Sequence, residues 1–292
     1  MIIGENKEQV IENIKTCAER GELNEKVEVD DPNISDARKQ KLVKKYVKRA
    51  GKWRYKPNNY LARMLAWYIT ARENKDTEFV GLENLEKVSS GAVITCNHFN
   101  PLDNTAARSV AKKAGHKRLY IVCQDTNYAM KGMVGFFMHY ADTIPITDDG
   151  AYMEHVFIRI LNKRLSDGNF VLIYPEQEMW YNYRKPRPLK RGAYYYAARC
   201  NVPVVSCFVE IRDLPEQESE EFYRTKYVIH VLPPIYPDPD KTVRENSFDM
   251  MERDYQQKKA AYEEAYGEEL TYEFRDEDIA GWIPKEQRQQ MA

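Results

Sequence analysis

The spacing of apolar positions changes character near residue 80. Upstream it is helical. Val10, Ile11, Ile14 and Cys17 fall on one face of a helix predicted over residues 6–20, with Gly21 as its stop. A polar connector from Glu28 to Ser35, with Pro32 as a turn signal, leads to a second predicted helix beginning after Ser35 or Asp36. Leu61, Met64, Leu65, Tyr68 and Ile69 make an apolar stripe on a third. From Asn84 onward short β-rich runs alternate with helical stretches. Strands are expected over residues 91–96, 118–123, 143–147, 169–174, 202–210 and 226–232, and helices over 102–115, 129–139, 151–166 and 189–200. That alternation predicts an α/β fold: a mostly parallel sheet covered by helices on both faces, with an N-terminal helical extension. Residues 247–266 are again helical, and the chain from Glu263 to Asp278 is strongly acidic. This tail either folds back on the N-terminal segment or stays solvated, and Trp282, Ile283 and Pro284 point to docking of part of it.

Residues 91–103 concentrate the candidate chemistry. Val93, Ile94 and Thr95 are β-branched and follow Gly91, as suits a short covered strand. Asn100 suits an N-cap, Pro101 the first helical position and Asp103 the third, where a carboxylate complements free amides. His98 then lies in a tight turn at the carboxyl end of a strand, where open α/β sheets gather ligands. A neutral imidazole can take a proton from an alcohol, and a neighbouring carboxylate can hold its tautomer and stabilise the imidazolium. His98 is the candidate base and Asp103 its orienter. A helix-capping Asp103 beside a strand-end histidine is the plainer explanation of the same residues.

Composition narrows the setting. The formal charge is −1, so nothing draws the whole chain to nucleic acid. Five cysteines without a C-x-x-C pair argue for reduced thiols in the cytoplasm and against zinc. No run of about 18 apolar residues occurs, and the first residues lack a signal-peptide pattern. Charge is nonetheless clumped: ten Lys or Arg and no acid lie between Arg38 and Lys56, interleaved with Leu42, Val43, Tyr46, Val47 and Trp53. A segment of this kind lies on anionic lipid or forms a solvated helix face.

The run Asn97-His98-Phe99-Asn100-Pro101-Leu102-Asp103 resembles the first motif of the glycerolipid acyltransferase family, which carries Asn-His, four residues, then Asp. Three later segments extend the resemblance across residues 91–209. The apolar, Met- and Phe-rich residues 128–141 lead to Thr143–Asp149, where the second motif falls; Phe170 to Glu176 is a buried-strand pattern ending in Pro175-Glu176, like the third. Val202-Pro203 opens an apolar strand like the fourth, and Lys190 to Ala193 resembles the family's Lys-x-Gly-Ala segment. Two departures stand out. Thr147, Asp148 and Asp149 occupy the place of the second motif's arginine, and Gln177, Glu178, Met179 and Trp180 replace the Gly-Thr-Arg-Ser that follows Pro-Glu. In the family those arginines are associated with the acceptor's phosphate.

The resemblance implies an O-acyltransferase that moves a fatty acyl group from acyl-CoA or acyl-carrier protein to a lysophospholipid such as 1-acylglycerol 3-phosphate, in phospholipid biosynthesis. The missing arginines favour instead a hydroxyl acceptor without phosphate, a glycolipid or polyol. The same residues would also suit a membrane-surface binding protein that lost turnover, or a hydrolase using the histidine and aspartate on water. His98 and Asp103 are the expected catalytic residues, and Asn97, Asn100, Glu176, Arg184, Lys185, Arg187 and Lys190 the expected substrate-binding ones. The basic loop is expected to meet phosphates. No metal and no cofactor beyond the thioester co-substrate is expected, and the partners are a membrane surface, the acyl donor and the acceptor. The expected division is an N-terminal basic, amphipathic extension over residues 1–75, a catalytic domain over 76–240 and an acidic helical tail over 241–292.

Overall fold

The computed structural model describes residues 6–29, 32–50 and 52–291; residues 1–5 and 292, Asp30 and Asp31 of the connector, and Gly51 of the basic run lie outside that description. Three helices come first: α1 (Lys7–Glu19), α2 (Asp36–Arg49) and α3 (Lys56–Glu73). The remainder builds strands β1 (Glu78–Val80), β2 (Ala92–Thr95), β3 (Leu119–Gln124), β4 (Thr143–Ile146), β5 (Phe170–Leu172), β6 (Val204–Gln217) and β7 (Tyr223–Val231). Between and after them run α4 (Asn104–Lys113), α5 (Gly132–Tyr140), α6 (Ile158–Ser166), α7 (Gly192–Arg199), α8 (Val243–Tyr266) and α9 (Lys285–Met291).

The strands form one seven-stranded sheet in the order β1-β7-β6-β2-β5-β3-β4. Neighbours from β6 to β4 are parallel, β7 is antiparallel to β6, and β1 is parallel to β7. The sheet is therefore mostly parallel and helix-covered, as the alternation of elements predicts. β2 sits at its middle, paired on both sides, with all four residues buried. Its unbroken apolar run follows from that position, since both faces of a parallel strand are covered. Ala92 and Ile94 pack with Ala106, Ala107 and Val110 of α4, while Val93 packs with α6 and α7 on the opposite face. Gly91 lets β2 begin where it does: a Cβ there would lie 2.1 Å from the Leu165 carbonyl oxygen, so the residue is set by close approach of backbone.

Five features go beyond the sequence pattern. β1 has only three residues, and β6 runs on to Gln217, its outer half exposed and paired with β7. α4 starts at Asn104 rather than Pro101, for a reason seen in the site below. α3 turns small and polar residues inward: Asn59, Ala62, Ala66 and Thr70 face the protein, while Tyr60, Leu61, Met64, Trp67 and Tyr68 are exposed. Finally, α8 is bound to the sheet by a wholly buried ion pair. Lys258 Nζ lies 2.6 Å from Asp254 Oδ1 and 2.9 Å from Thr95 Oγ1, and Thr95 donates to Asp254 at 2.7 Å. Tyr194 of α7 donates to the same carboxylate.

The acidic tail docks on α1 rather than on the basic helix. Ile279 and Trp282 join Val10, Ile11 and Ile14 in one cluster, and Glu8 pairs with Lys285 at 2.9 Å and Arg288 at 2.6 Å.

Candidate active site

β2 delivers the chain to Asn97, whose side-chain amide exchanges two hydrogen bonds with the backbone of Val209 at 2.8 and 3.0 Å. The amide thus continues the β2–β6 ladder by one step. Asn97 is fully occupied in this way and anchors the turn from behind. Beyond it, Asn100 Oδ1 accepts the Leu102 N–H at 2.9 Å and the Asp103 N–H bonds the Asn100 carbonyl at 3.0 Å, so residues 100–103 form a turn that delays the helix. Asp103 then points back into the turn instead of capping amides ahead of it. The amides of Leu102 and Asp103, candidates for stabilising an oxyanion at a helix start, are both engaged.

Asp103 is the hub of the site. Its Oδ2 lies 2.7 Å from His98 Nδ1 and accepts the N–H groups of Phe99 at 2.9 Å and Asn100 at 3.2 Å. Because a carboxylate only accepts, Nδ1 carries the imidazole proton and Nε2 presents a lone pair. Asp103 is buried, whereas the His98 side chain keeps 21% of its surface. The other Asp103 oxygen, Oδ1, accepts the Tyr174 hydroxyl. The Tyr174 ring stacks on the imidazole, centroids 3.9 Å apart and planes 10° apart. Burial first, then the Asp103 charge, hold the Tyr174 proton on well above the usual phenol range, so the hydroxyl stays a donor.

Beneath the turn lies a second pair. Glu176 Oε2 accepts the His98 N–H at 3.1 Å, and Arg187 Nη2 donates to the same oxygen at 2.9 Å. The Arg187 N–H bonds Glu176 Oε1 at 3.0 Å, and its guanidinium also reaches the carbonyls of Leu23 and Glu178. Trp180 and Asn182 donate their N–H groups to the carbonyls of His98 and Phe99 at 3.0 and 2.8 Å. The segment after Pro175 is thereby laced to the histidine turn.

The structure brings together His98, Asp103, Asn100, Glu176 and Arg187. It separates the others. Lys185 is 1% exposed and bonds Asp278 Oδ2 at 2.7 Å; Arg184 bonds Asp213 Oδ2 at 2.5 Å; Lys190 is exposed at the start of α7. The phosphate contact expected of Lys185 and Arg187 is corrected here: both cations face inward and hold carboxylates of the chain, because burying either one unpaired would be costly. The second-motif region, with Thr147 and Asp149, shares a groove of about 270 Å³ with Lys44, Lys48, Val43 and Val47 of α2. Cys96 is buried beside Cys207, which together with burial pushes its thiol well up, so it packs rather than attacks.

Tyr174 does not stand out in the linear sequence, although strand period carries a signal. Phe170 pairs with Ala92 and Leu172 with Ile94, so two residues further Tyr174 falls beside Cys96, on the approach to His98.

Residues 76–210 match the model of the family described as Acyltransferase. Among solved structures, the chain is similar to the 1-acyl-sn-glycerophosphate (LPA) acyltransferase PlsC from Thermotoga maritima, at 15% identity over 80% of this chain and 90% of that one, with a TM-score of 0.49. No curated protein matches the chain. The matched segment opens before β1 and closes within β6, and so contains the His98 turn, Asp103 and the Pro175-Glu176 turn. Over residues 76–210, a little under half of its length, the chain is thus similar to the acyltransferase family.

Proposed function

We propose that the protein moves a fatty acyl group from acyl-CoA or an acyl-carrier protein to the hydroxyl of a lysophospholipid such as 1-acylglycerol 3-phosphate, working at a membrane surface. The observation that carries this reading is His98, with Nδ1 bound to Asp103 at 2.7 Å and Nε2 left open. Nε2 takes the proton of the acceptor hydroxyl as its oxygen attacks the thioester carbonyl. The tetrahedral intermediate collapses, the C–S bond breaks, and the imidazolium gives its proton to the departing sulfur, which leaves as the free thiol and returns His98 to its neutral form. The Asp103 charge favours that imidazolium while it lasts. No acyl-enzyme is needed, and holding both substrates in one site supplies several kcal/mol by proximity.

A second reading, an acceptor without phosphate, is favoured by a specific arrangement. Asp148 and Asp149 follow β4, Gln177 to Trp180 follow Pro175-Glu176, and Lys185 and Arg187 are consumed internally. Thiol release from palmitoyl-CoA, measured with lysophosphatidate and with uncharged monoacylglycerols and glycolipids at equal concentration, separates the two. A kcat/KM at least about tenfold higher for lysophosphatidate supports the first reading; the reverse order supports the second.

The membrane role rests on α3 and its neighbours. Met64, Trp67 and Tyr68 are 52%, 56% and 61% exposed on one face, and Trp53, just before the helix, is 72% exposed. On α2, Arg38, Lys41, Lys44, Lys45 and Lys48 are exposed. Arg49 is not part of that surface, since it bonds the His139 carbonyl at 2.9 Å and lies over the Tyr140 ring. Exposed aromatic and cationic side chains suit an interface of anionic lipid, and among the described residues no helix is long and apolar enough to cross a membrane. Replacing Lys44, Lys45 and Lys48 with Gln removes about 1 kcal/mol of attraction each. Sedimentation with phosphatidylglycerol vesicles should fall at least tenfold, as it should for Met64→Gln with Trp67→Gln. Unchanged sedimentation in both would exclude the membrane role.

A further inference from the structure

We infer that Tyr174 is a positioning residue that sets the basicity of His98 through Asp103, an inference resting on the acyl-transfer reading above. Its hydroxyl donates to Asp103 Oδ1, the oxygen that His98 leaves free. Its ring covers one face of the imidazole, so an acceptor hydroxyl reaches Nε2 along the ring edge. The chain beside it is pinned to the sheet, because the Ile173 N–H bonds the Ile94 carbonyl at 3.0 Å.

The consequence follows from charge. A hydrogen-bond donor on Oδ1 draws part of the carboxylate's charge away from the Nδ1 side. The imidazolium is then less stabilised than it would be beside a bare carboxylate. Toward a carboxylate, which only accepts, Tyr174 is the donor, since its own proton is held well above the usual phenol range.

Other groups face the same pair. Cys96 comes from β2, its thiol pushed up by Cys207 and burial; Tyr227 comes from β7, its hydroxyl pushed up by burial. Arg108 of α4 faces Tyr174 with its affinity for the proton lowered by burial, and Glu176 with Arg187 supports the His98 backbone. Cys96 and Tyr227 keep their protons near neutral pH, so a change on removing the Tyr174 hydroxyl reports on that hydroxyl.

Tyr174→Phe keeps the ring and deletes the donor. Titration of the His98 imidazole by NMR, in substrate-free wild type and variant and assigned with His98→Gln, should show the midpoint moving upward by roughly 0.5–1 pH unit. Below the midpoint that is about a threefold to tenfold loss of neutral imidazole. The acidic limb of kcat/KM should move with it while KM holds. Tyr174→Leu, which also removes the ring, should move the midpoint alike and lower kcat further. An unmoved midpoint in folded Tyr174→Phe overturns the inference. A shifted midpoint in a protein that turns over no thioester would instead overturn the acyl-transfer reading and leave the tyrosine's effect on the imidazole intact.

Discussion

His98→Ala folds like the wild type and loses acyl transfer by roughly 10²–10⁴-fold in kcat, the range expected when a positioned base is removed. The fold should survive because the turn is held from elsewhere. Asp103 keeps the Phe99 and Asn100 amides, Asn97 keeps Val209, and Glu176 binds the backbone N–H at position 98, which alanine retains. Asp103→Asn sharpens the point. One amide oxygen can take the place of Oδ2 and receive the same donors, while the amide nitrogen faces a Tyr174 hydroxyl able to turn and accept. Geometry is then kept and the charge is lost, so kcat should fall by about 10²-fold or more with KM little changed. Thiol-release kinetics alongside circular dichroism check both variants, and a folded His98→Ala with wild-type turnover would refute the base assignment.

Arg187→Met should be the most destabilising single change near the site, at about 3–5 kcal/mol. It strands the Glu176 carboxylate, which is 1% exposed, and leaves the Leu23 and Glu178 carbonyls without their donor. Denaturant unfolding should show the midpoint falling at unchanged slope. The double variant Glu176→Gln with Arg187→Met removes the stranded charge and should recover part of the loss. Kinetics separate this bracing role from phosphate recognition: in the folded fraction kcat falls because the His98 turn loosens, whereas loss of a phosphate contact would raise KM for donor or acceptor. A stable Arg187→Met with a raised KM would restore the binding role.

The alternation of strands and helices is legible in the chain because β2, β5 and β4 are largely buried and so read as short, mostly apolar runs. The contact between His98 and Asp103 is also within reach of sequence, since five residues spanning a strand-to-helix turn can fold the carboxylate back on the ring. What the chain does not disclose is where its charges go. Lys185 and Arg187 suggest phosphate contacts in a linear reading and nothing singles out Asp254 and Lys258, yet each is buried against a partner 11 or 93 positions away, or four away on a helix whose depth no period reveals. The helical period of α3 is plain but does not say which face turns inward: the small residues Ala62 and Ala66 pack on the protein, and Leu61, Met64 and Tyr68 lie outward. The tail's docking on α1 depends on Trp180 and Phe222, residues far from either segment in sequence.

The central claim is that His98 passes a proton while an acyl group moves from thioester to hydroxyl. Its most direct test is thiol release from palmitoyl-CoA, and from palmitoyl-carrier protein, with and without a lipid hydroxyl acceptor, the ester product being quantified in parallel. Release is predicted only when acceptor is present, with one ester formed per thiol, and neither is predicted in His98→Ala. Equal release without acceptor would make the protein a thioester hydrolase, and silence with both donors across the acceptor panel would contradict catalysis altogether.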